Sequence, residues 1–169
     1  MEIMMRPARA GDAAAVLAFS RCLGAETRNL TFGPAGIPQT LEGETAYLAA
    51  LENSPDACML LAFDGDELVA TAHVGRISPK ARLAHRAEVA VSVKKSHWGR
   101  GIATQLLTQC LEKGRAMGCT VWELAVLTTN AAAIHLYEKL GFRTIGRYDK
   151  FFRYEDGTTA DALLMNRYE

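Results

Sequence analysis

The sequence predicts a mixed α/β fold: a mostly antiparallel central sheet of about seven strands, flanked by about four helices. Two apolar runs separated by Asp64-Gly65 carry a strong hairpin signal. An alternating strand at residues 84–93 leads through a glycine-rich turn into an amphipathic helix at 102–117, and a further strand follows at 121–126. A strand–helix–strand unit makes one parallel pair, so the sheet should be mixed.

Local patterns place the remaining elements. Asp12 is expected to cap the first helix and Thr40 the second, and the glycines and prolines of residues 24–40 predict a long loop between these helices. The expected strands are 3–7, 57–63, 68–77, 84–93, 121–126, 144–148 and 160–168, and the expected helices follow Asp12 and span 41–53, 102–117 and 131–140.

Composition narrows the class of protein. A chain of 169 residues with 49% hydrophobic and 22% charged content fits a single domain over residues 1–169. Nineteen basic and nineteen acidic residues give zero net charge, so no nucleic-acid or membrane partner is expected. Neither a signal peptide nor a run of ~20 apolar residues is present, which favours a cytoplasmic protein. The four cysteines and four histidines have no metal-ligand spacing, so free thiols and no metal are expected.

The turn that opens the third helix predicts an anion site. Gly99 and Gly101 lie where the first N–H groups of a helix have no partner and the helix dipole adds positive charge, a setting that binds phosphate. A dinucleotide fingerprint would need glycine or alanine at Thr104, and a P-loop would need a Lys-Ser/Thr pair. A turn that merely connects two elements stays open as the alternative.

A wider motif set surrounds this turn. It consists of Val91-x-Val93, Gly99-x-Gly101-x-Ala103 and Asn130-x-x-Ala133-Ile134-x-Leu136-Tyr137-x-Lys139-x-Gly141-Phe142. Together these motifs resemble the GNAT superfamily of N-acetyltransferases, which use acetyl-CoA, over residues 68–142. Trp98 departs from the family pattern, which has arginine or glutamine there. The departure removes a side chain but leaves the main-chain N–H groups.

The resemblance implies where acetyl-CoA binds. The strands before and after the glycine-turn helix should splay, and the backbone of Val91 and Val93 should meet the pantetheine arm. Arg100 would help from the rim or remain a solvated turn residue, and Asn130 would contact the cofactor as well as cap its helix. The main chain of the turn should hold the pyrophosphate through Gly99, Arg100, Gly101, Ile102, Ala103 and Thr104.

The resemblance also implies catalytic roles. Tyr137 matches the tyrosine that serves as general acid, with core packing as the alternative role. An ammonium with a pKa of about 10 must lose its proton before attack, and Glu88 is the first candidate base. Another carboxylate or an ordered water stays open, as does pairing of Glu88 with Arg86. Three acidic residues could instead bind a cationic substrate or lie on the surface: Glu26, Glu42 and Glu44.

The predicted function is transfer of an acetyl group from acetyl-CoA to a primary amine of a small molecule or protein. Ser92 lacks a Gly-x-Ser-x-Gly setting, so direct attack in a ternary complex is expected. An acyl-CoA-binding regulatory module without turnover is the alternative. The acceptor pocket should be built from the residue 24–40 loop, the second helix and the final hairpin. The resemblance also allows a homodimer.

Overall fold

The computed structural model describes residues 2–169, which form seven strands and four α-helices. The strands are β1 Ile3–Pro7, β2 Ala57–Asp64, β3 Glu67–Arg76, β4 Arg86–Val93, β5 Val121–Leu127, β6 Arg143–Arg153 and β7 Thr159–Tyr168. The helices are α1 Ala13–Glu26, α2 Leu41–Glu52, α3 Ile102–Ala116 and α4 Ala131–Lys139. One sheet has the order β1-β2-β3-β4-β5-β7-β6, and only the β4–β5 pair is parallel. The predicted mixed, mostly antiparallel architecture is confirmed.

Apolar cores cover both faces of the sheet. Leu60 and Ala62 of β2 pack into one cluster with α3 and α4, whereas Leu61 packs into a second cluster with α1 and α2. This alternation follows from the period of two along a strand. The α3 side holds the largest buried side chains, among them Trp122 and Met165. The two helix pairs therefore define two distinct faces on which functional groups can lie.

The two predicted helix caps have different outcomes. Thr40 caps α2 as expected, because its hydroxyl accepts a hydrogen bond from the Gly43 N–H at 3.0 Å. Asp12 precedes α1 but makes no cap bond, so that prediction is wrong. Its carboxylate instead accepts two 2.8 Å bonds from Arg6 and one of 2.7 Å from the Arg9 N–H. The arginine on β1 outcompetes the helix for this carboxylate because a bidentate, charge-assisted pair is the stronger interaction.

The observed bounds of several helices and strands differ from the predicted ones. The first helix continues through Gly24 to Glu26, and β6 is longer than the predicted 144–148. The glycine turn does not follow β4 directly, because a 3-10 turn, Lys95–His97, lies between them. Tyr47 of α2 is exposed, whereas the neighbouring Leu48 is fully buried. The four cysteines are free, and no helix among residues 2–169 has the length and hydropathy needed to cross a membrane.

The contact between α3 and β5 is unusually close at Gly114. A Cβ atom placed there would lie 2.8 Å from the indole nitrogen of Trp122 and 3.5 Å from Val74. Trp122 is fully buried, so its ring has no room to move. Glycine is therefore required at this position by packing and not by backbone conformation.

We expect Gly114→Ala to lower the free energy of unfolding by about 1–2 kcal/mol, because overpacking of about 2–3 kcal/mol outweighs the gain of about 1 kcal/mol in helix propensity. Denaturant unfolding followed by circular dichroism measures the change. Gly11→Ala is the matched control, since a Cβ there meets nothing within 4 Å. Equal stability of the Gly114→Ala and wild-type proteins would contradict the packing argument.

Candidate functional site

The two parallel strands β4 and β5 separate after a short paired segment. Their ladder contains three residue pairs, the last of which joins Glu88 to Glu123. Arg86 crosses the same junction and binds the Glu123 carboxylate with two nitrogens, one of them at 2.7 Å. Beyond this point β4 continues to Val93 and β5 to Leu127 without pairing to each other. The predicted splay is confirmed, and we call this opening the β4–β5 gap.

The main-chain polar groups at the end of β4 point into the β4–β5 gap. The Lys94 N–H donates to the carbonyl of Val69, a residue of β3, at 2.9 Å. Along an antiparallel pair, residues whose main-chain groups bond to the partner strand alternate with residues whose main-chain groups point away from it. The Lys94 bond therefore means that the even-numbered residues of β4 direct their N–H and C=O groups to β3. Val91 and Val93, which the sequence predicted as cofactor residues, therefore turn their N–H and C=O groups toward β5.

Trp98 forms a hydrogen bond with one of these main-chain groups. Its indole N–H donates a 2.9 Å hydrogen bond to the Val93 carbonyl, while 56% of the residue remains exposed. The ring is thus held in a fixed orientation at the end of the gap. Sequence reasoning identified Trp98 only as a departure from the family pattern. The sequence feature that could have indicated this contact is the position of Trp98, one residue before the first turn glycine and five after Val93.

The glycine turn presents unpaired amides. Gly99 and Gly101 have φ values of 72° and 75°, in the left-handed region that glycine adopts at little cost. Within residues 2–169, no main-chain N–H group from residues 99–104 donates a hydrogen bond. Ile102 is buried in the core, Ala103 is half-buried and Thr104 is exposed. The turn therefore offers free N–H donors at the N-terminus of α3, an arrangement that suits an anion.

A carboxylate from a distant hairpin anchors this turn. Asp64 Oδ2 lies 3.0 Å from His97 Nε2 and 3.3 Å from a guanidinium nitrogen of Arg100. The hydrogen bond from His97, followed by the contacts with Arg100, holds the pKa of Asp64 below its usual range. Ser96 Oγ lies 2.8 Å from the other ring nitrogen of His97. Arg100 is therefore an anchored residue, a role that neither sequence interpretation foresaw.

Asn130 lies beyond β5, on the far side of the gap. Its side chain accepts a 3.3 Å hydrogen bond from the Ala133 N–H, so the predicted cap of α4 is confirmed. Its own N–H donates to the Leu127 carbonyl at 2.9 Å. These bonds fix the start of α4 at the end of β5. A cofactor contact of Asn130 remains a prediction.

Tyr137 is buried on α4. Only 7% of the residue is exposed, and its ring packs edge-on against Phe142 with centroids 5.8 Å apart. Its hydroxyl forms no hydrogen bond within residues 2–169, and it is not among the fully buried polar atoms that lack a partner. Burial raises the pKa of Tyr137 to about 12. The phenol therefore keeps its proton at neutral pH and is able to donate it.

Glu88 lies on the opposite face of the sheet from Tyr137. Ala87 and Val89 of β4 are buried in the same core cluster as Tyr137, so the intervening Glu88 points the other way and is exposed. Arg86 pairs with Glu123, and Glu88 forms no ion pair within the described residues. The alternative in which Arg86 neutralises Glu88 is therefore not what the structure shows.

A cavity of about 790 Å³ opens between the α1–α2 loop and the β6–β7 hairpin. Its lining includes Glu26, Phe32 and Phe152 but, among the described residues, none from α2. Glu42 is exposed, and Glu44 is buried, with its pKa raised by burial. Of the three acidic residues singled out for a cationic substrate, Glu26 alone lines this cavity.

The chain is similar in sequence and in structure to known proteins. Residues 26–142 match the model of the Acetyltransferase (GNAT) family. An L-methionine sulfoximine/L-methionine sulfone acetyltransferase of Pseudomonas paraeruginosa is 29% identical over 72% of this chain and 73% of its own length. The N-alpha-acetyltransferase RimI of Mycobacterium tuberculosis is 32% identical over 68% of each chain. A GNAT-family acetyltransferase structure from Streptococcus pneumoniae superposes with a TM-score of 0.93 at 29% identity, covering 99% and 100% of the two chains.

We expect Asp64→Asn to loosen the glycine turn, because the neutral amide cannot hold His97 and Arg100 as charge-assisted bonds do. Hydrogen exchange followed by mass spectrometry should show several-fold faster exchange at His97, Trp98 and Gln105, whose N–H groups form the hydrogen bonds of the turn and its flanks. Glu67→Gln is the control, since it removes the neighbouring 2.6 Å ion pair with Lys94 and leaves the turn untouched.

The same anchor has a defined pH dependence. The lowered pKa of Asp64 means that its stabilisation is complete above the unfolded value of about 3.9 and is lost as the pH falls through the folded value. Unchanged exchange at His97, Trp98 and Gln105 in Asp64→Asn at neutral pH would show that the turn does not depend on this carboxylate.

Proposed function

Because the chain belongs to the GNAT family of acetyltransferases, for which acetyl-CoA is the cosubstrate, we propose that it acetylates the amine of an amino acid or a similar small molecule. Transfer occurs by direct attack in a ternary complex, within one domain over residues 1–169. The observation that carries the proposal is the meeting of two sets of unpaired main-chain groups, those of the glycine turn and those of the β4–β5 gap, at one edge of the sheet.

The relatives support an amino-acid amine as acceptor. The matched Pseudomonas protein carries the name of an acetyltransferase for two methionine derivatives, and the mycobacterial protein that of an N-alpha-acetyltransferase. Both names describe an amine attached to an amino-acid unit. A lysine side chain, a polyamine or an amine antibiotic lacks this support. The cytoplasmic location and the homodimer stay predictions.

The glycine turn holds the pyrophosphate of acetyl-CoA in this proposal. Free N–H groups from residues 99–104 and the positive end of α3 neutralise phosphate charge without a basic side chain. Arg100 adds charge at the rim from its position beside Asp64. The unpaired N–H groups fit the ligand because an anion supplies the acceptors that the helix start lacks.

The end of β4 orients the pantetheine arm and the thioester. Val91 offers an N–H and a C=O to the gap, and Val93 offers its N–H because Trp98 already binds its carbonyl. Amide groups of the arm pair with these groups as an added strand would. A main-chain N–H in the gap polarises the thioester carbonyl as negative charge develops on its oxygen.

Proton transfer uses the two faces of the sheet. Glu88, or a water that it or Glu26 orients, removes the proton of the attacking ammonium on the open face. Tyr137, on the opposite face, gives a proton to the departing sulfur. The amine adds to the carbonyl carbon to form a tetrahedral intermediate, and the carbon–sulfur bond breaks when that intermediate collapses, so the base and the acid act in separate steps and at separate atoms. The assignment of Glu88 over another carboxylate is part of the proposal.

Direct attack is favoured over an acyl-enzyme. Burial raises the pKa of each cysteine thiol, to about 12 for Cys110, so these thiols are weak nucleophiles at neutral pH. Ser92 forms no hydrogen bond to a histidine among the described residues. No activated nucleophile is therefore at hand to carry the acetyl group.

We expect the purified protein to release CoA thiol from acetyl-CoA when an amino acid is supplied, measured with a thiol reagent and by mass spectrometry of the product. The panel should include amino acids, a polyamine and a peptide with a free N-terminus. Calorimetry measures CoA affinity in parallel. Saturable CoA binding without acetylation of any amine would favour the regulatory module, and no CoA binding would overturn the whole proposal.

We expect Tyr137→Phe to lower kcat by about 100-fold, the scale of general acid catalysis, with little change in CoA affinity. Because burial raises the pKa of Tyr137 to about 12, the wild-type rate should show no decline from tyrosine ionisation up to pH 10. Phe142→Leu is the packing control, since it alters the ring that Tyr137 contacts and keeps the hydroxyl. Equal losses of kcat and CoA affinity in Tyr137→Phe would assign the residue to packing.

A further inference from the structure

An aromatic row runs along the end of β6 toward the cavity. The rings of Tyr148 and Phe151 are 5.3 Å apart between centroids, those of Phe151 and Phe152 are 5.4 Å apart and nearly parallel, and those of Phe152 and Tyr154 are 6.1 Å apart. Phe151, Phe152 and Tyr154 line the cavity described above, and Phe32 faces them from the α1–α2 loop. Phe151 remains 38% exposed. Aromatic groups left at a cavity wall are typical of a site that binds apolar atoms.

The two walls of the cavity are fastened to each other. The Tyr154 hydroxyl donates a 2.9 Å hydrogen bond to the Arg28 carbonyl, and the Arg28 guanidinium lies 3.9 Å from the centre of the Tyr154 ring. The same guanidinium is 3.5 Å from Asp156. These contacts bind the β6–β7 hairpin to the α1–α2 loop. The cavity is therefore formed before a ligand enters.

The loop also packs tightly onto α1. A Cβ atom at Gly24 would lie 1.9 Å from the Gly33 carbonyl oxygen, so the chain folds back against the helix at the cavity wall. Close by, Glu26 accepts a 2.9 Å hydrogen bond from the Lys95 N–H, immediately beyond the end of β4. This bond joins the cavity to the strand that borders the β4–β5 gap. An acceptor in the cavity is thus adjacent to the strand end that faces the thioester in the proposed function.

The charges of the lining disfavour a polycation. The cavity contains two acidic residues, Glu26 and Glu155, and two basic ones, Arg28 and Arg153. Glu26 is engaged by the Lys95 N–H, and the Tyr154 ring already carries the Arg28 guanidinium. The two signs balance, so the lining residues carry no net negative charge that would attract a second ammonium group. The apolar rings are therefore the part of the lining that is available to contact the side chain of an acceptor.

We infer that this cavity selects the acceptor by its side chain, and that the substrate class is an amino acid with an apolar or aromatic side chain next to the acetylated amine. The inference rests on the proposed function and deepens it. Phe32 and Phe152, on opposite walls, contact the side chain, while Phe151 stacks behind Phe152. Polyamines and amino acids with a cationic side chain are disfavoured, because the lining residues carry no net negative charge.

The test compares L-norleucine with L-lysine, which have side chains of similar length that differ by a terminal ammonium, and L-phenylalanine with glycine. Mass spectrometry of the α-acetylated product gives kcat/KM for each. We expect norleucine to exceed lysine, and phenylalanine to exceed glycine, by tenfold or more, the scale of apolar discrimination in a pocket. Phe32→Ala and Phe152→Ala should each reduce these ratios about threefold or more.

A ratio of two substrates on one protein sample is unaffected by the fraction of folded enzyme, so a partly unstable variant remains informative. Ile145→Ala is the control, because Ile145 is exposed on β6 and lies outside the cavity lining. It should leave both ratios unchanged. The inference would be overturned if lysine and norleucine were used equally well, or if both ratios were unaltered in Phe32→Ala and in Phe152→Ala. The proposed function would stand in either case. Failure to acetylate any amine would overturn the proposed function itself, and this inference with it.

Discussion

The separation of β4 from β5 is the constraint on which the site depends. Main-chain N–H and C=O groups must find partners, and two neighbouring strands that stop pairing leave such groups exposed in the interior of a sheet. The protein satisfies two of them itself, through the Trp98 indole on the Val93 carbonyl and the Asn130 N–H on the Leu127 carbonyl. The groups that remain, the N–H and C=O of Val91 and the N–H of Val93, form a short, rigid template for an amide-containing ligand.

The gap stays open because both of its strands are held on their outer sides. β4 pairs with β3 along its length, and β5 pairs with β7 over all seven of its residues. At the point where the strands diverge, Arg86 and Glu123 join them. Trp122, fully buried under Gly114 of α3, fixes the distance of the helix from the sheet. The start of α3, and with it the glycine turn, is thereby positioned relative to the gap.

The two faces of the sheet have different chemical character. The α3 and α4 side is apolar and encloses Tyr137, whose buried phenol keeps its proton. The other side is open beyond α1 and carries the exposed carboxylate of Glu88. A base in contact with water and an acid shielded from it are suited to opposite proton transfers. The sheet thus separates the two groups, and the gap is where both faces can be reached.

Local features could be predicted from the sequence, whereas partners from distant segments could not. The Thr40 cap, the Asp64-Gly65 hairpin and the glycine turn with its free amides depend on a few consecutive residues, whose dihedral preferences and hydrogen bonds suffice to specify them. The anchoring of Arg100 by Asp64 and the removal of Asp12 from its cap by a β1 arginine depend on where the chain folds back. The sequence by itself determined which main-chain groups are free at the start of α3. Only the tertiary structure decided which side chains surround them, because those contacts follow from packing across the whole sheet.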